Sequence, residues 1–168
     1  MSDPTAILSD GTRRNIRLVV FDFDGVFTDN TVWTDAEGNE WVRSWRGDGL
    51  GLQQLRDAGI RAWVLSTETH PVVGRRCDKL GIPYRQGLAD KEVALRDLLR
   101  ELDVDAADAA YVGNDINDIG CFSVVGTPIV VADAHPDAAA HATLQTKAAG
   151  GFGAVREVCD WIVHVGKA

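Results

Sequence analysis

The sequence predicts a doubly wound, mostly parallel α/β domain with helices on both faces of the sheet and a β-hairpin inserted after the first strand. Three observations predict it. Short apolar runs, "RLVVF", "IRAWVLS", "AAYVG" and "TPIVVA", recur along the chain; each is nearly continuous, as in strands buried on both faces. Segments of helical periodicity separate them. Carboxylates and hydroxyls collect where the runs end, the edge at which parallel sheets bind ligands.

The first run, Leu18 to Phe21, stops at Asp22, Asp24 and Gly25. A helix would normally follow. Instead "TVWTDAEGNEWVRSW" reads as two strands turning at "DAEGN". A lone hairpin is barely stable in water, so Trp33, Trp41 and Trp45 are expected to pack on the domain or on another subunit. "GLGLQQLRDAG" reads as a helix closed by Gly59 at the position after its C-cap. "KEVALRDLLRELD" places Leu95, Leu98, Leu99 and Leu102 in one stripe, with Asp90 as N-cap. Val155, Val158, Ile162 and Val165 share a face of the last helix. Residues 1–15 are expected to be a loose arm without the apolar core of a signal peptide, and residues 16–168 a single domain.

The chain has 168 residues, enough for one domain with a real core. Acidic residues outnumber basic ones 25 to 17, giving a formal charge of −8. That balance opposes nucleic acid and anionic membrane surfaces and suits a site holding a divalent cation. Cys77, Cys121 and Cys159 form no CxxC pair, and the four histidines form no ligand-spaced pair. No segment is long and apolar enough to cross a bilayer. The expectation is a cytoplasmic protein acting on a small molecule.

Asp22 and Asp24 stand two residues apart, so in extended structure both point to one side; that repulsion needs a nearby cation. The second strand end offers Ser66, Thr67 and Glu68, the one after "AAYVG" offers Asn114, Asp115 and Asp118, and Lys91 opens a helix. This set suits phosphoryl transfer. Asp22 and Asp115, with a main-chain carbonyl and waters, can hold Mg²⁺ in oxygen coordination. Lys91 and Ser66 can hold phosphate oxygens, Asp22 can attack phosphorus, and Asp24 can serve as acid and then base. A calcium-binding EF-hand loop would need a preceding helix and a Glu at its twelfth position, which here is Trp33. A phosphate-accepting receiver domain has no use for Asp24 as acid/base.

"DFDGVFTD", "VLSTE", Lys91 and "VGNDINDIGCF" together resemble the four signature motifs of the haloacid dehalogenase superfamily. More narrowly, "DGVFTDN", "GDGLGL", "QGLADK" and "GGFGAVREVCDWIV" resemble its small capless phosphatases acting on 3-deoxy-octulosonate 8-phosphate or 2-keto-3-deoxynonulosonate 9-phosphate, and the related C-terminal domain of acylneuraminate cytidylyltransferases. The resemblance implies a Rossmann-like fold without a cap domain, a homotetramer built on the early hairpins, and a neighbouring subunit closing each site. It implies Asp22 as nucleophile and metal ligand, Asp24 as acid/base and carbonyl ligand, Ser66 and Lys91 as phosphate contacts, and Asp115 as metal ligand. Asn114 and Asp118 would support them, Asp118 as partner of Lys91 or of a metal-bound water. Arg46, Asp48, Gly49, Thr67 and Arg76 would face substrate. Glu68 stands where the octulosonate enzymes usually carry Arg; the nonulosonate branch carries Glu there and a Lys eleven residues on, matched by Lys79. A nonulosonate 9-phosphate is therefore the better-fitting substrate, with a non-catalytic oligomerisation domain as the alternative.

Overall fold

The computed structural model describes residues 16–165. The arm expected over residues 1–15 lies outside the described residues. β1 (Leu18–Phe21) runs up the middle of a six-stranded sheet of order β5-β4-β1-β6-β7-β8, every pairing parallel. The other strands are β4 (Arg61–Leu65), β5 (Tyr84–Arg85), β6 (Ala109–Gly113), β7 (Thr127–Val130) and β8 (Leu144–Gln145). The two-residue edge strands β5 and β8 carry too little pattern to read from sequence; their pairing comes from the neighbouring strand.

Alternation along β1 sorts the core. Val19 and Phe21 face one side, packed with Leu52 and Leu55 of α1 (Asp48–Asp57), Val73 and Cys77 of α2 (Val72–Leu80), and Val155, Val158 and Ile162 of α6 (Ala154–Val165). Leu18 and Val20 face the other, packed with Leu95, Leu98 and Leu99 of α3 (Lys91–Glu101) and Cys121 and Phe122 of α4 (Ile119–Val124). A short α5 (Pro136–Ala139) lies between β7 and β8. Asp90 caps α3 as expected, accepting the Val93 N–H at 3.0 Å. Gly59, at φ +75°, takes the left-handed position after α1. No described helix is long and apolar enough to cross a membrane.

The hairpin forms a separate two-stranded sheet, β2 (Thr28–Thr34) against β3 (Glu40–Ser44). Trp33 and Trp41 are register partners. They stay 73% and 55% exposed, so within one chain the expected packing on the domain is not made. The hairpin base is tied to the glycine-rich segment before α6: Arg43 donates to the Gly151 carbonyl at 3.1 Å and lies 4.0 Å over the Phe152 ring.

Gly150 abuts the turn that carries the first acidic pair; an added Cβ would overlap the carbonyl oxygen of Gly25 and crowd that of Thr28. Backbone cannot yield as a flexible side chain does. Gly150→Ala should therefore cost about 1–3 kcal/mol, read as a lowered urea midpoint.

Candidate active site

Asp22 follows β1, where the apolar strand leaves the core. It is buried, and both of its oxygens are held. Oδ1 accepts the Phe23 N–H at 2.7 Å, and Oδ2 accepts from Lys91 Nζ at 2.9 Å. Lys91 is the first residue of α3, yet its ammonium is almost wholly enclosed; Nζ also donates to Asp118 Oδ1 at 2.5 Å. Asp118 closes the 3₁₀ turn after β6. Its Oδ1 accepts from the Tyr111 hydroxyl at 2.8 Å, and its Oδ2 from the N–H groups of Asn114 at 2.8 Å and Asp115 at 3.2 Å.

The electrostatics follow from burial. Desolvation and the charge of Asp118 push Asp22 up to about 7, against the pull of Lys91 and the Phe23 N–H. Burial alone would lower Lys91, but Asp22 and Asp118 outweigh it and hold the ammonium above its ordinary value. Asp24 is half-buried and also raised, by desolvation first, with the Thr28 hydroxyl opposing and Glu68 adding to the rise. Thr28 Oγ1 donates to Asp24 Oδ1 at 3.3 Å and accepts the Gly25 N–H at 3.1 Å, which fixes the turn.

Asp22, Asp24, Asn30, Ser66, Thr67, Asn114, Asp115, Ile116 and Asn117 line one pocket of about 290 Å³. A larger groove of about 390 Å³ lies by the start of β4, near Arg56, Ile60, Trp63 and Pro83. It brings no carboxylate or hydroxyl together, so the chemistry points to the smaller one. Ser66 is buried at the end of β4; its Oγ accepts the Glu68 N–H at 3.0 Å, leaving the hydroxyl proton to donate.

The pocket thus unites Asp22, Asp24, Ser66, Thr67, Asn114 and Asp115, with Lys91 and Asp118 on the buried side of Asp22. Arg46, Asp48, Gly49, Arg76 and Lys79 are not among its lining residues. Asp48 is drawn into the α1–α6 contact, where Oδ1 accepts the Arg156 N–H at 3.2 Å and Oδ2 has no partner. Arg76 donates to the Trp45 carbonyl at 3.2 Å, and Arg46 and Lys79 are exposed. Glu68, expected to face substrate or Lys79, has its Oε1 accepting the N–H groups of Thr69 at 2.6 Å and His70 at 2.7 Å, and among the described residues it forms no ion pair with Lys79.

Sequence reasoning missed Asn30, Ile116 and Asn117 as lining residues and Tyr111 as partner of Asp118. Asn30 carries a signal in hindsight: it adopts φ 59°, which asparagine tolerates better than most residues. Tyr111 reads as a core aromatic, and its hydroxyl partner is visible only in three dimensions.

Among the described residues, no group of three or more His, Cys, Asp or Glu side chains is arranged to hold a metal ion. A cation here needs a main-chain or amide oxygen as well. One exists: Asn114 Oδ1 is buried without a partner, and its amide rests against Gly25, where a Cβ would collide with it. The donor set is hard oxygen, facing a pocket lined by three carboxylates whose nearest ammonium is already shared by Asp22 and Asp118. Those residues fit a divalent cation such as Mg²⁺.

Residues 86–157 match the haloacid dehalogenase-like hydrolase family. The chain is 37% identical over 150 residues to the 3-deoxy-D-manno-octulosonate 8-phosphate phosphatase KdsC of Escherichia coli K12, covering 89% of this chain and 80% of that protein. It is 44% identical to a HAD family hydrolase from Streptomyces avermitilis, with a TM-score of 0.87 over 89% of this chain and 86% of that one. The Moraxella catarrhalis octulosonate 8-phosphate phosphatase, solved with magnesium, phosphate and KDO, superposes with a TM-score of 0.87 at 34% identity, over 90% of this chain and 88% of that one.

Desolvation lifts Asp48 to about 7 from 3.8. A carboxyl raised on folding stabilises the fold fully below its unfolded value, and that contribution is lost as pH rises through its folded value. Asp48→Asn stays neutral throughout. Its stability relative to wild type should therefore rise between about pH 4 and about pH 8, read from urea midpoints; a constant difference would place the titration elsewhere.

Proposed function

We propose that this chain, which belongs to the haloacid dehalogenase-like hydrolases and is a phosphomonoesterase of that family, removes phosphate from a 3-deoxy-octulosonate 8-phosphate type sugar acid through an aspartyl phosphate. The observation that carries this is the convergence of Asp22, Asp24, Ser66 and Asn114–Asp115 on one pocket, with Lys91 locked behind Asp22. The eight-carbon substrate is favoured by the relatives. The nine-carbon reading leaned on Glu68 meeting the substrate, and the Glu68 carboxylate is engaged with its own loop.

In this reading a carboxylate oxygen of Asp22 attacks phosphorus and the bond from phosphorus to the sugar oxygen breaks. Asp24, kept protonated more readily by its raised pKa, gives its proton to the departing oxygen. A water then attacks phosphorus, Asp24 takes its proton, and the bond to Asp22 breaks, releasing phosphate. The Ser66 hydroxyl donates to a phosphate oxygen. The Asp22 carboxylate, the Asp24 main-chain carbonyl and Asp115, with the Asn114 amide oxygen beside them, would hold Mg²⁺. That cation supplies charge neutralisation between the carboxylates and a phosphate dianion. A purely assembly-related role is less favoured, since it gives no reason to bury a lysine between two acids.

The exposed aromatic hairpin supports a second part of the proposal: a homotetramer joined through β2 and β3, each site being completed by a neighbour. Arg46 and Arg76, absent from the pocket of their own chain, would serve a site across that contact.

Asp22→Asn should lose several orders of magnitude in kcat on the octulosonate phosphate, and chelation should abolish wild-type turnover until Mg²⁺ is restored. Comparable kcat/KM for unrelated phosphate esters would sink the substrate assignment. In sedimentation equilibrium, wild type should run as a tetramer, and Trp33→Ser with Trp41→Ser should dissociate it. An active wild-type monomer would contradict the assembly.

A further inference from the structure

We propose that Glu68 is a positioning residue: its carboxylate clasps the loop after β4 so that the Ser66 hydroxyl is presented to phosphate, and it does not read the sugar. The inference rests on the reading of Ser66 as a phosphate donor.

The loop from Ser66 to His70 has no regular structure; at its end Pro71 offers α2 no side-chain cap, and His70 Nδ1 accepts the Val72 N–H at 3.3 Å. Exposed polar loops of this kind move unless something fixes them. Here one oxygen, Glu68 Oε1, gathers two successive N–H groups, those of Thr69 and His70. The clasp needs an acceptor oxygen at that point, which a carboxylate or a side-chain amide of the same length can supply. With its side chain anchored forward, Glu68 directs its own N–H backward to Ser66 Oγ at 3.0 Å. That bond occupies an oxygen lone pair and leaves the hydroxyl proton free to point into the pocket.

The outer side of the loop is held as firmly. Gln86 Nε2 donates to the carbonyls of Thr69 at 3.0 Å and His70 at 3.2 Å, while its Oε1 accepts the Gly74 N–H at 3.1 Å. Gly87 N–H reaches the Glu68 carbonyl at 2.8 Å, and Leu88 N–H reaches that of Ser66 at 3.1 Å. Carbonyls are therefore tied from outside by residues 86–88, and the N–H groups from inside by Glu68. Each half leaves the other incomplete. Among the described residues Glu68 makes no ion pair; the bonds its carboxylate makes are to the two N–H groups, both at Oε1.

Because Thr69 lies exposed and His70 half-exposed, water can replace the carboxylate and the fold should survive its loss. The geometry should not: a misplacement near 1 Å costs up to about a hundredfold in catalysis. The test compares Glu68→Ala, Glu68→Gln and Glu68→Arg with Ser66→Ala in the full chain with Mg²⁺. Two quantities are read: inhibition by orthophosphate during aryl phosphate hydrolysis, and amide hydrogen exchange at Thr69 and His70. Glu68→Ala and Glu68→Arg should raise the orthophosphate Ki about tenfold and deprotect both amides. Glu68→Gln, whose amide oxygen can accept the same bonds, should remain within about threefold. Glu68→Gln behaving as Glu68→Ala would make charge rather than positioning the cause and overturn the proposal. So would faster exchange in Glu68→Ala with an unchanged Ki, which leaves Glu68 a structural cap only. If Ser66→Ala itself leaves Ki unchanged, the phosphate role of Ser66 fails and takes this proposal with it. A raised Ki there beside an insensitive Glu68→Ala removes the clasp alone.

Discussion

The ammonium of Lys91, enclosed between Asp22 and Asp118, is the interaction on which the structure's chemistry depends. Burying one ion costs several kcal/mol, and removing one partner of a buried pair typically costs about 3–5 kcal/mol. The cost is offset here because Lys91 Nζ donates to both acids while Asp22 also accepts the Phe23 N–H and Asp118 accepts from Tyr111 and two loop N–H groups. The strut joins three elements far apart in sequence: the end of β1, the start of α3 and the turn after β6. Each supplies one component, so the strut exists only when β1 and β6 are paired and α3 is packed on the sheet.

The same strut leaves the pocket electrically incomplete. Two carboxylates share one ammonium, and Asp24 and Asp115 lie on the open side without a cation of their own. Burial is the main reason that Asp22 and Asp24 are raised, with the charge of Asp118 adding to the first and that of Glu68 to the second. An unpartnered amide oxygen at Asn114 belongs to the same pattern: the protein has assembled hard oxygen donors and excess negative charge around a space it does not fill itself.

What the sequence made legible is what local rules determine. The period of apolar residues fixed the two-sided core, Asp90 announced the start of α3, and the paired acids at a strand end pointed to the pocket that they line. What escaped it depends on distance or on side-chain direction. β5 and β8 exist only as partners of longer strands. Asp48 sits near other polar residues in sequence but is carried into a helix–helix contact by the first turn of α1. Glu68 reads from its neighbours in sequence as a residue at the mouth; only the folded loop shows that two N–H groups reach its Oε1.

The division of the pocket lining carries the argument further. In the proposed mechanism Asp22, Asp24, Ser66, Asn114 and Asp115 all serve the phosphoryl end. For the remainder of a substrate the chain offers Asn30, Thr67, Ile116 and Asn117, three small polar side chains and one aliphatic. None of these four carries a charge that could single out a carboxylate, and the basic residues once expected there, Arg46, Arg76 and Lys79, are not part of the lining. On that proposal the pocket of one chain carries the groups for phosphate chemistry and no charged group among its lining for an acidic sugar. Specificity is a difference between transition states, about 1.4 kcal/mol for each tenfold, and four neutral groups at an open mouth supply little contrast between sugars that differ by one carbon. Under the proposed assembly the contrast comes from the neighbour that covers that mouth. Within this chain the surface most in need of a cover is the hairpin carrying Trp33 and Trp41.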